Sequence, residues 1–410
     1  MHHSRGRSKL AWFGLAAAIS CGSHSDTHVA LDPTAGAVAV GGDAEPVAGQ
    51  GAGSGVGAEA GRLAAGAGSA GSSLPAPSGV TQPVQPQASA GSRAHAGMSA
   101  GGSSGVPAVA GQPASAGSST TLFYLDNVGG RVLRAADGGQ DQDQVIVANA
   151  GVGPDGVAVD VAHGHVFWTN MGVANADDGK VMRADLDGKN PTTIVATGTF
   201  TPKQLKLDAQ GGKLYWSDRE GMRVMRANLD GSQLETLIVT GASAADRRDA
   251  SRWCVGIAID VAGKKLYWTQ KGGDNAGQGT IKRANLELPA GADPARRNDI
   301  EVLFANLPEP IDLDLDLEQR FLYWTDRGDN TISRAPLDLP AGADPAKRTD
   351  REILLKGLGE AIGISLAVNR SVMYYTSLGG VVARAALDGS AAKSLLTSQG
   401  AVTGIVWADL

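Results

Sequence analysis

A short aromatic segment that recurs six times after residue 120 restricts the possible folds more than any other part of the sequence. Measured at the second aromatic position, successive copies are 44, 48, 52, 56 and 51 residues apart. The copies are Phe123–Asp126, Phe167–Asn170, Tyr215–Asp218, Tyr267–Gln270, Tyr323–Asp326 and Tyr374–Ser377. Repetition at a nearly constant period of this length indicates similar structural units that pack side by side.

A second recurrent segment follows each aromatic copy and consists of a branched residue, any residue, arginine and alanine. Its arginines are Arg134, Arg183, Arg226, Arg283, Arg334 and Arg384. Around both segments apolar residues alternate over short runs, such as Ile257 and Ile259, and glycine-containing turns separate the runs. Alternation with a period of two predicts β-strands, about four in each unit. Four short antiparallel strands per unit describe the blade of a β-propeller.

The two ends of the repeated region predict how the ring closes. The first unit begins at Leu122 and lacks the first strand of the other units, while residues 402–408 resemble residues 363–367. The C-terminal strand is therefore expected to complete the first unit and to leave no open sheet edge. The sequence thus predicts an all-β, six-bladed β-propeller with four-stranded antiparallel blades over residues 120–410.

The repeats resemble the YWTD, or low-density-lipoprotein-receptor class B, repeat, since Tyr323–Asp326 reads Tyr-Trp-Thr-Asp and the other copies vary around it. Members of that family fold as six-bladed β-propellers in which the motif residues are structural. The resemblance implies tryptophans that pack between blades and aspartates that bond backbone groups or nearby arginines. These roles carry over to Trp168, Trp216, Trp268, Trp324, Asp126, Asp218 and Asp326, together with the six arginines of the second segment.

The first 20 residues predict export from the cytoplasm. A basic start precedes the apolar stretch Leu10–Ser20, which is typical of a signal peptide and too short to span a bilayer as a helix. The small residues from Ala18 to Ser20, before Cys21, resemble the cleavage site of bacterial lipoproteins. Lipid attachment at Cys21 would anchor the protein in the bacterial cell envelope without spanning the membrane. An ordinary secretory signal peptide cut near this position is the alternative.

Residues 21–119 are predicted to form a disordered linker. From residue 22 to residue 119 the chain contains no Phe, Trp, Tyr or Ile and is rich in Gly, Ala, Ser and Pro. Such a composition buries too little apolar surface to offset the conformational entropy that folding costs. The information for folding therefore lies in residues 120–410.

Charge and histidine content narrow the classes of function. Residues 120–410 contain 31 Lys+Arg and 37 Asp+Glu, a net charge of −6. An acidic domain without a basic stripe disfavours nucleic-acid binding. His163 and His165 are the only histidines after residue 119, which disfavours catalytic triads and multi-histidine metal sites. Cys254 is expected to be a small buried residue rather than a reactive nucleophile.

Two predicted inner strands carry polar residues where most blades have small ones. Gln204 and Lys206 lie on the inner strand of blade three, and Asp312 and Asp314 on that of blade five. Alternate residues of a strand share one face, about 7 Å apart. These side chains are therefore candidates for a polar lining of the central channel. A structural ion-pair cluster inside the blade packing is the alternative.

Two pairs of inserts are candidate recognition elements. Residues 171–180 and 271–280 lengthen loops of blades two and four, and their oxygen-bearing side chains suit calcium, although neither loop matches the twelve-residue calcium-binding pattern. These side chains are Asn175, Asp177, Asp178, Asp274 and Asn275. Residues 288–297 and 339–348 are nearly identical and are predicted to project side by side from adjacent blades. Their basic tips, which suggest a recognition surface, are Arg296, Arg297, Lys347 and Arg348. A recent blade duplication would also explain the likeness.

These observations predict a membrane-anchored, extracytoplasmic β-propeller that serves as a binding or scaffolding module for a protein or a surface polymer. A monomer is expected, with membrane contact through the lipid anchor alone. No cofactor is predicted, and calcium is the ion that the loops suggest. The competing prediction is a propeller hydrolase or lyase with a metal or polar site at the central channel, supported mainly by Asp312 and Asp314.

Overall fold

The computed structural model describes residues 120–138 and 143–410. The predicted signal peptide 1–20, the lipidation site Cys21 and the predicted linker 21–119 lie outside these residues. Within them, no helix has both the length and the apolar character that crossing a bilayer requires.

The described residues contain 24 strands and four short 3-10 turns. The strands are β1 (Thr120–Asp126), β2 (Arg131–Ala136), β3 (Gln144–Val147), β4 (Pro154–Asp160), β5 (His165–Asn170), β6 (Lys180–Asp185), β7 (Thr192–Val195), β8 (Pro202–Asp208), β9 (Lys213–Asp218), β10 (Arg223–Asn228), β11 (Glu235–Val239), β12 (Cys254–Asp260), β13 (Lys265–Gln270), β14 (Gly279–Asn285), β15 (Glu301–Leu307), β16 (Pro310–Asp316), β17 (Phe321–Asp326), β18 (Thr331–Pro336), β19 (Glu352–Lys356), β20 (Ala361–Ala367), β21 (Val372–Ser377), β22 (Val381–Ala386), β23 (Lys393–Leu396) and β24 (Val402–Asp409). The 3-10 turns are Asp246–Arg248, Ala250–Arg252, Pro345–Lys347 and Val368–Arg370.

Six four-stranded antiparallel sheets form the blades. Blade one combines β24 with β1, β2 and β3, and each later blade uses four consecutive strands. The inner strands β24, β4, β8, β12, β16 and β20 contact one another in ring order. In blade one, Thr120 lies opposite Asp409 and Tyr124 lies opposite Ile405. The predicted six-bladed propeller, closed by the C-terminal strand, is therefore confirmed.

Aromatic pairs fill the space between neighbouring blades. Each cluster between blades contains the first aromatic residue of one motif and the second of the next. These pairs are Phe123 with Trp168, Phe167 with Trp216, Tyr215 with Trp268, Tyr267 with Trp324, Tyr323 with Tyr375, and Tyr374 with Tyr124. Burial of one such ring stabilises the fold by roughly 1.5–3 kcal/mol. The repeated motif thus supplies the packing that holds the blades against one another.

The recurrent arginines add polar links at the outer side of the blades. Three of them reach an acidic residue of the next blade: Arg226 donates to Glu287, Arg283 to Asp338, and Arg384 to Asp137. The others are Arg334, which donates to the carbonyl of Leu387, Arg134, which donates to Gln144 of its own blade, and Arg183, which lies opposite Phe167. Exposed ion pairs contribute about 0–1 kcal/mol each, so packing remains the main stabilising contribution.

Two of the motif aspartates, Asp218 and Asp326, hold the loops that precede the inner strands. Asp218 accepts hydrogen bonds from the backbone N–H groups of Phe200 and Thr201 at 2.9 and 2.6 Å and pairs with Arg223. Asp126 pairs with Arg131 in the same way, whereas Thr331 replaces the arginine beside Asp326. Burial and the neighbouring Asp329 raise the pKa of Asp326 to about 7.

Antiparallel strand order sorts the loops onto two faces. The mouth face carries the loops between the second and third strands of each blade and the connections to the next inner strand. The hairpin face carries the other loops. The long loops 171–180 and 271–280 therefore lie on the mouth face, and the twin inserts 288–297 and 339–348 lie on the hairpin face.

Candidate functional site

Equivalent positions of all six blades meet at one end of the central channel. The second residues of the inner strands are Asp155, Lys203, Val255, Ile311, Ile362 and Thr403. Residues that directly follow the aromatic strands join them, namely Asn127, Arg219, Lys271, Arg327 and Leu378. Together with Glu309 these residues line one cavity, called the mouth below. The cavity volume is about 30 Å³, which is room for one or two water molecules.

A buried ion pair lies between blades two and three at the mouth. The Nζ atom of Lys203 lies 2.5 Å from Oδ2 of Asp155, and the two side chains are 7% and 0% exposed. The amide of Gln204 donates to the second oxygen of Asp155 at 3.1 Å. Both oxygens of the Asp155 carboxylate therefore have a donor, and a substitution that left either buried charge unpaired would lower the free energy of unfolding.

A second charged network links blades four and five. Lys271 lies 2.6 Å from Glu309 and 2.8 Å from Asp274, and Arg327 contacts the same two carboxylates at 2.6 and 3.0 Å. Two cations thus balance two anions. Because Asp274 already pairs with both cations, the network disfavours calcium in the loop 271–280.

Arg219 and Trp253 complete the rim on the side of blade three. Arg219 lies 2.5 Å from Glu220, and its guanidinium lies 5.2 Å from the centre of the Trp253 ring. The ammonium of Lys271 lies 5.7 Å from the same ring. Burial acts to raise the pKa of Glu220, but Arg219 outweighs it and the pKa is lowered. Glu220 is therefore charged at neutral pH.

Apolar side chains form the floor of the mouth. Val255, Ile311 and Ile362 pack together on three consecutive inner strands, and Leu378 covers them from the loop of blade six. The mouth therefore combines an apolar floor with a charged rim whose ion pairs are already formed.

Deeper in the channel, Lys206 of blade three reaches Asp314 of blade five at 3.5 Å. The strand between them is β12, where Ala258 holds the equivalent position opposite its aromatic strand. The two side chains therefore meet across a small residue at the channel side of β12. Burial acts to lower the pKa of Lys206, but Asp314 and Asp312 outweigh it and the pKa is raised.

Asp312 and Asp314 also bind the backbone of blade six. Asp312 accepts from the N–H of Ile364 at 3.1 Å, and Asp314 accepts from the N–H of Leu366 at 2.9 Å. Burial raises the pKa of Asp312 to about 7, although Lys206 opposes the shift. At the position equivalent to Asp312 in blade two, a Cβ on Gly156 would lie 2.5 Å from the backbone of blade three. The close approach of neighbouring inner strands thus explains why other blades have small residues at this position.

The structure corrects the expected basic tips of the twin inserts. Arg297 and Arg348 have side chains only 1% exposed and pair with Asp299 and Asp350. Arg348 also lies 4.1 Å from the centre of the Phe304 ring. These two arginines fasten the inserts to the blades. Arg296 and Lys347 are 86% and 82% exposed, so each insert offers one exposed basic residue.

Three further residues, His163, Cys254 and Asp178, are held within the fold. His163 Nδ1 lies 2.7 Å from Asp160 in a turn of the hairpin face. Cys254 is buried, which raises the pKa of its thiol to about 12 and keeps it protonated. Asp178 accepts from the backbone N–H of Val173. Across residues 120–138 and 143–410, no group of three His, Cys, Asp or Glu side chains is arranged to hold a metal ion.

Sequence reasoning missed the charged residues of the mouth. The signal that would have found them is the second position of the inner strand, where Asp155 and Lys203 stand in place of the apolar residues of blades four to six. In every inner strand a register shift spans this position. Because a bulge breaks the alternation of side chains, period-two reasoning does not assign this residue to the channel.

The closed ring of aromatic-motif blades and its mouth define a YWTD-type six-bladed β-propeller. No family model matches the chain. A protein named "Low-density lipoprotein receptor-related protein 1" from Pyricularia oryzae is 41% identical over 289 residues, which cover 67% of this chain and 91% of that protein. The chain therefore belongs to the family of that receptor-related protein.

Two further comparisons show how far the likeness extends. "3-hydroxyacyl-CoA dehydrogenase-like protein LAM1" from Cochliobolus heterostrophus is 40% identical over 247 residues, 58% of this chain. The match covers 52% of that relative, so the chain spans about half of its length. The solved structure titled "Crystal structure of Nidogen/Laminin Complex" aligns with a TM-score of 0.53 and 23% identity over 70% of this chain and 98% of that chain. This last likeness shows the fold alone.

Proposed function

We propose that this propeller is a binding module that recognises a protein partner at its mouth face. The observation that carries the proposal is the apolar floor of Val255, Ile311 and Ile362 inside a rim of paired charges. Protein interfaces commonly have an apolar centre and a polar rim. Because the rim side chains are already held by ion pairs, binding costs little additional ordering of them.

The size of the mouth limits what can enter it. A volume of about 30 Å³ admits one small group of a partner, and the rest of the partner would lie across the rim. The partner we propose therefore presents one small apolar side chain within a segment that carries charges of both signs. The name of the receptor-related relative is consistent with recognition of another molecule. A surface polymer is the alternative class of ligand, and the capture experiment described next tests it separately.

Capture experiments with two matched variants test the proposal. Leu378→Asp places a charge beside the apolar floor, whereas Leu234→Asp makes the same change at an exposed residue between the third and fourth strands of blade three. We expect Leu378→Asp to lose a partner protein from envelope extracts, or a purified surface polymer, that both the wild type and Leu234→Asp retain. Equal capture by all three proteins would refute the mouth as the binding surface.

The proposal includes export and attachment to the cell envelope through a lipid on Cys21. This part rests on the sequence of the first 21 residues, which resembles a lipoprotein signal. The wild type should incorporate labelled fatty acid and fractionate with membranes, and Cys21→Ser should do neither. Fractionation of Cys21→Ser with membranes would argue for another mode of attachment. We further propose a monomer without affinity for nucleic acid.

One observation favours an enzyme as a second candidate. Asp312 has a pKa of about 7 and lies in the channel near Lys206, and such shifted groups are common at catalytic sites. The proposed activity is a hydrolase or lyase reaction at the channel. Elemental analysis of the purified chain separates the two candidates: a stoichiometric ion that Asp314→Ala removes would support catalysis, and the absence of any bound ion would remove the metal-dependent form.

A further inference from the structure

A larger groove lies on the mouth face between blades two and three. Its volume is about 290 Å³, against about 30 Å³ for the mouth. Its lining includes Asp177, Phe200, Met222, Arg223, Val239 and Arg247. This volume is close to the lower limit of common small-molecule sites, about 300 Å³. The lining combines two guanidinium groups with the apolar side chains of Phe200, Met222 and Val239.

Arg247 is held in place without a carboxylate partner. Its guanidinium stacks 4.0 Å from the centre of the Phe200 ring, and its Nε donates to the carbonyl of Glu220 at 3.0 Å. The indole of Trp253 donates to the carbonyl of Arg247 at 2.8 Å. Within the described part of the chain, no acidic side chain forms an ion pair with Arg247. A fixed guanidinium with unused donors is a preorganised receptor for a planar anion.

Arg223 provides an independent observation in the same groove. Its Nη2 lies 2.5 Å from Asp218, but that carboxylate also accepts the backbone N–H groups of Phe200 and Thr201. The Nε atom of Arg223 is buried and has no hydrogen-bond partner among the described residues. A buried donor without an acceptor is unfavourable. Because Asp218 divides its oxygens among three donors, the positive charge of Arg223, whose side chain is 27% exposed, is only partly compensated.

We propose that this groove is a binding site for a carboxylate attached to a small apolar group, with Arg223 and Arg247 as the donors to its oxygens. A single carboxylate fits better than a polyanion, because Asp177 also lines the groove and the domain has a net charge of −6. The carboxylate comes either from a small organic acid or from an aspartate or glutamate side chain between apolar residues of a protein. The site goes beyond the mouth and does not depend on it.

Titration of the full chain with two probes tests the site. The probes are 4-methylpentanoate and the peptide acetyl-Leu-Glu-Leu-amide, followed by NMR of the arginine Nε–H signals and by calorimetry. We expect saturable shifts of the Arg223 and Arg247 signals. Arg223→Lys and Arg247→Lys should each lower the affinity at least about tenfold, since lysine keeps the positive charge but lacks the planar, forked pair of N–H donors of arginine. Tighter binding of the acid indicates a small-molecule ligand, and tighter binding of the peptide indicates a protein side chain.

Controls separate this site from general effects. Arg248→Lys changes the exposed neighbour of Arg247 in the same 3-10 turn and should bind both probes like the wild type. The peptide with Gln in place of Glu should not bind, and Leu378→Asp at the mouth should leave probe binding intact. The proposal is overturned if neither probe binds at ~10 mM, if the Gln peptide binds equally well, or if Arg248→Lys weakens binding as much as the two groove variants.

Discussion

The ammonium of Lys206 in blade three contacts the carboxylate of Asp314 in blade five at 3.5 Å, and the inner strand of blade four lies between the strands that carry them. This contact joins two blades that are not neighbours in the ring. Asp314 also accepts from the backbone of Leu366 in blade six. One carboxylate therefore couples blades three, five and six inside the channel.

We expect a pH-dependent contribution to stability from Asp312, beside that contact. Its pKa of about 7 in the folded state lies far above the ~3.9 of an unfolded chain. Between these values the folded state keeps a proton that the unfolded state has released, so this contribution to the free energy of unfolding falls as pH rises from about 4 to about 7. Urea denaturation across that range should show a smaller fall for Asp312→Asn.

Asp388→Asn provides the control for that measurement. Hydrogen bonds from Ser390 lower the pKa of Asp388. The contribution of Asp388 to the free energy of unfolding is therefore present at neutral pH and is lost on acidification, which is opposite to the change expected for Asp312. If the stability of Asp312→Asn ran parallel to that of the wild type at every pH, the raised pKa of Asp312 would be wrong.

Ring closure predicts a large cost for a small change in the last strand. Ile405 is 4% exposed and packs in the cluster that contains Tyr124 and Tyr374. Ile405→Ala should lower the free energy of unfolding by about 2–5 kcal/mol, measured by urea denaturation. Val161→Ala, at a turn residue 46% exposed, should change it by less than about 0.5 kcal/mol. Equal effects of the two substitutions would contradict the closed ring.

The ion pair between Lys203 and Asp155 is suited to a double-mutant cycle. Lys203→Met alone leaves a buried carboxylate, and Asp155→Asn alone leaves a buried ammonium, so each should cost about 3–5 kcal/mol. The double variant has no uncompensated charge and should be more stable than either single variant, as measured by chemical denaturation. Additive losses in the double variant would show that the two groups do not interact.

The twin inserts allow a comparison of adjacent basic residues. Arg348 is buried against Phe304 and paired with Asp350, whereas Lys347 is exposed. Arg348→Ala should destabilise the propeller by about 1–3 kcal/mol through lost packing and hydrogen bonds. Lys347→Ala should stay within about 0.5 kcal/mol of the wild type. Thermal unfolding of the two variants gives the comparison. A larger loss of stability for Lys347→Ala than for Arg348→Ala would contradict the structural role of Arg348.

The sequence was sufficient to predict the six-bladed ring, because every blade contains a copy of the same aromatic strand. The pairing of residues 402–408 with the first unit also followed from the repeat, since those residues match an inner strand that the first unit lacks. Val161 and Leu317 continue the apolar alternation of the sequence beyond β4 and β16, but both residues are exposed and lie in turns. Strand ends were thus less well predicted than strand existence.

The mouth and the groove could not be predicted from alternation. Glu309 and Lys271 flank strands rather than occupying them, and contacts between loops of different blades depend on the three-dimensional ring. Arg296 and Arg297 are adjacent and chemically identical, so the sequence does not indicate which one turns inward. Those orientations depend on partners such as Asp299 and the carbonyl of Leu237 in the neighbouring blade.

The shared sheet of blade one also sets the order of events in biosynthesis. β1 is the first strand of the ring to leave the ribosome, and its inner partner is β24, which spans eight residues at the C-terminus. Until β24 has been synthesised, β1 has an unpaired edge and the circle stays open. A chain with this topology therefore cannot close its ring before residue 409 has left the ribosome.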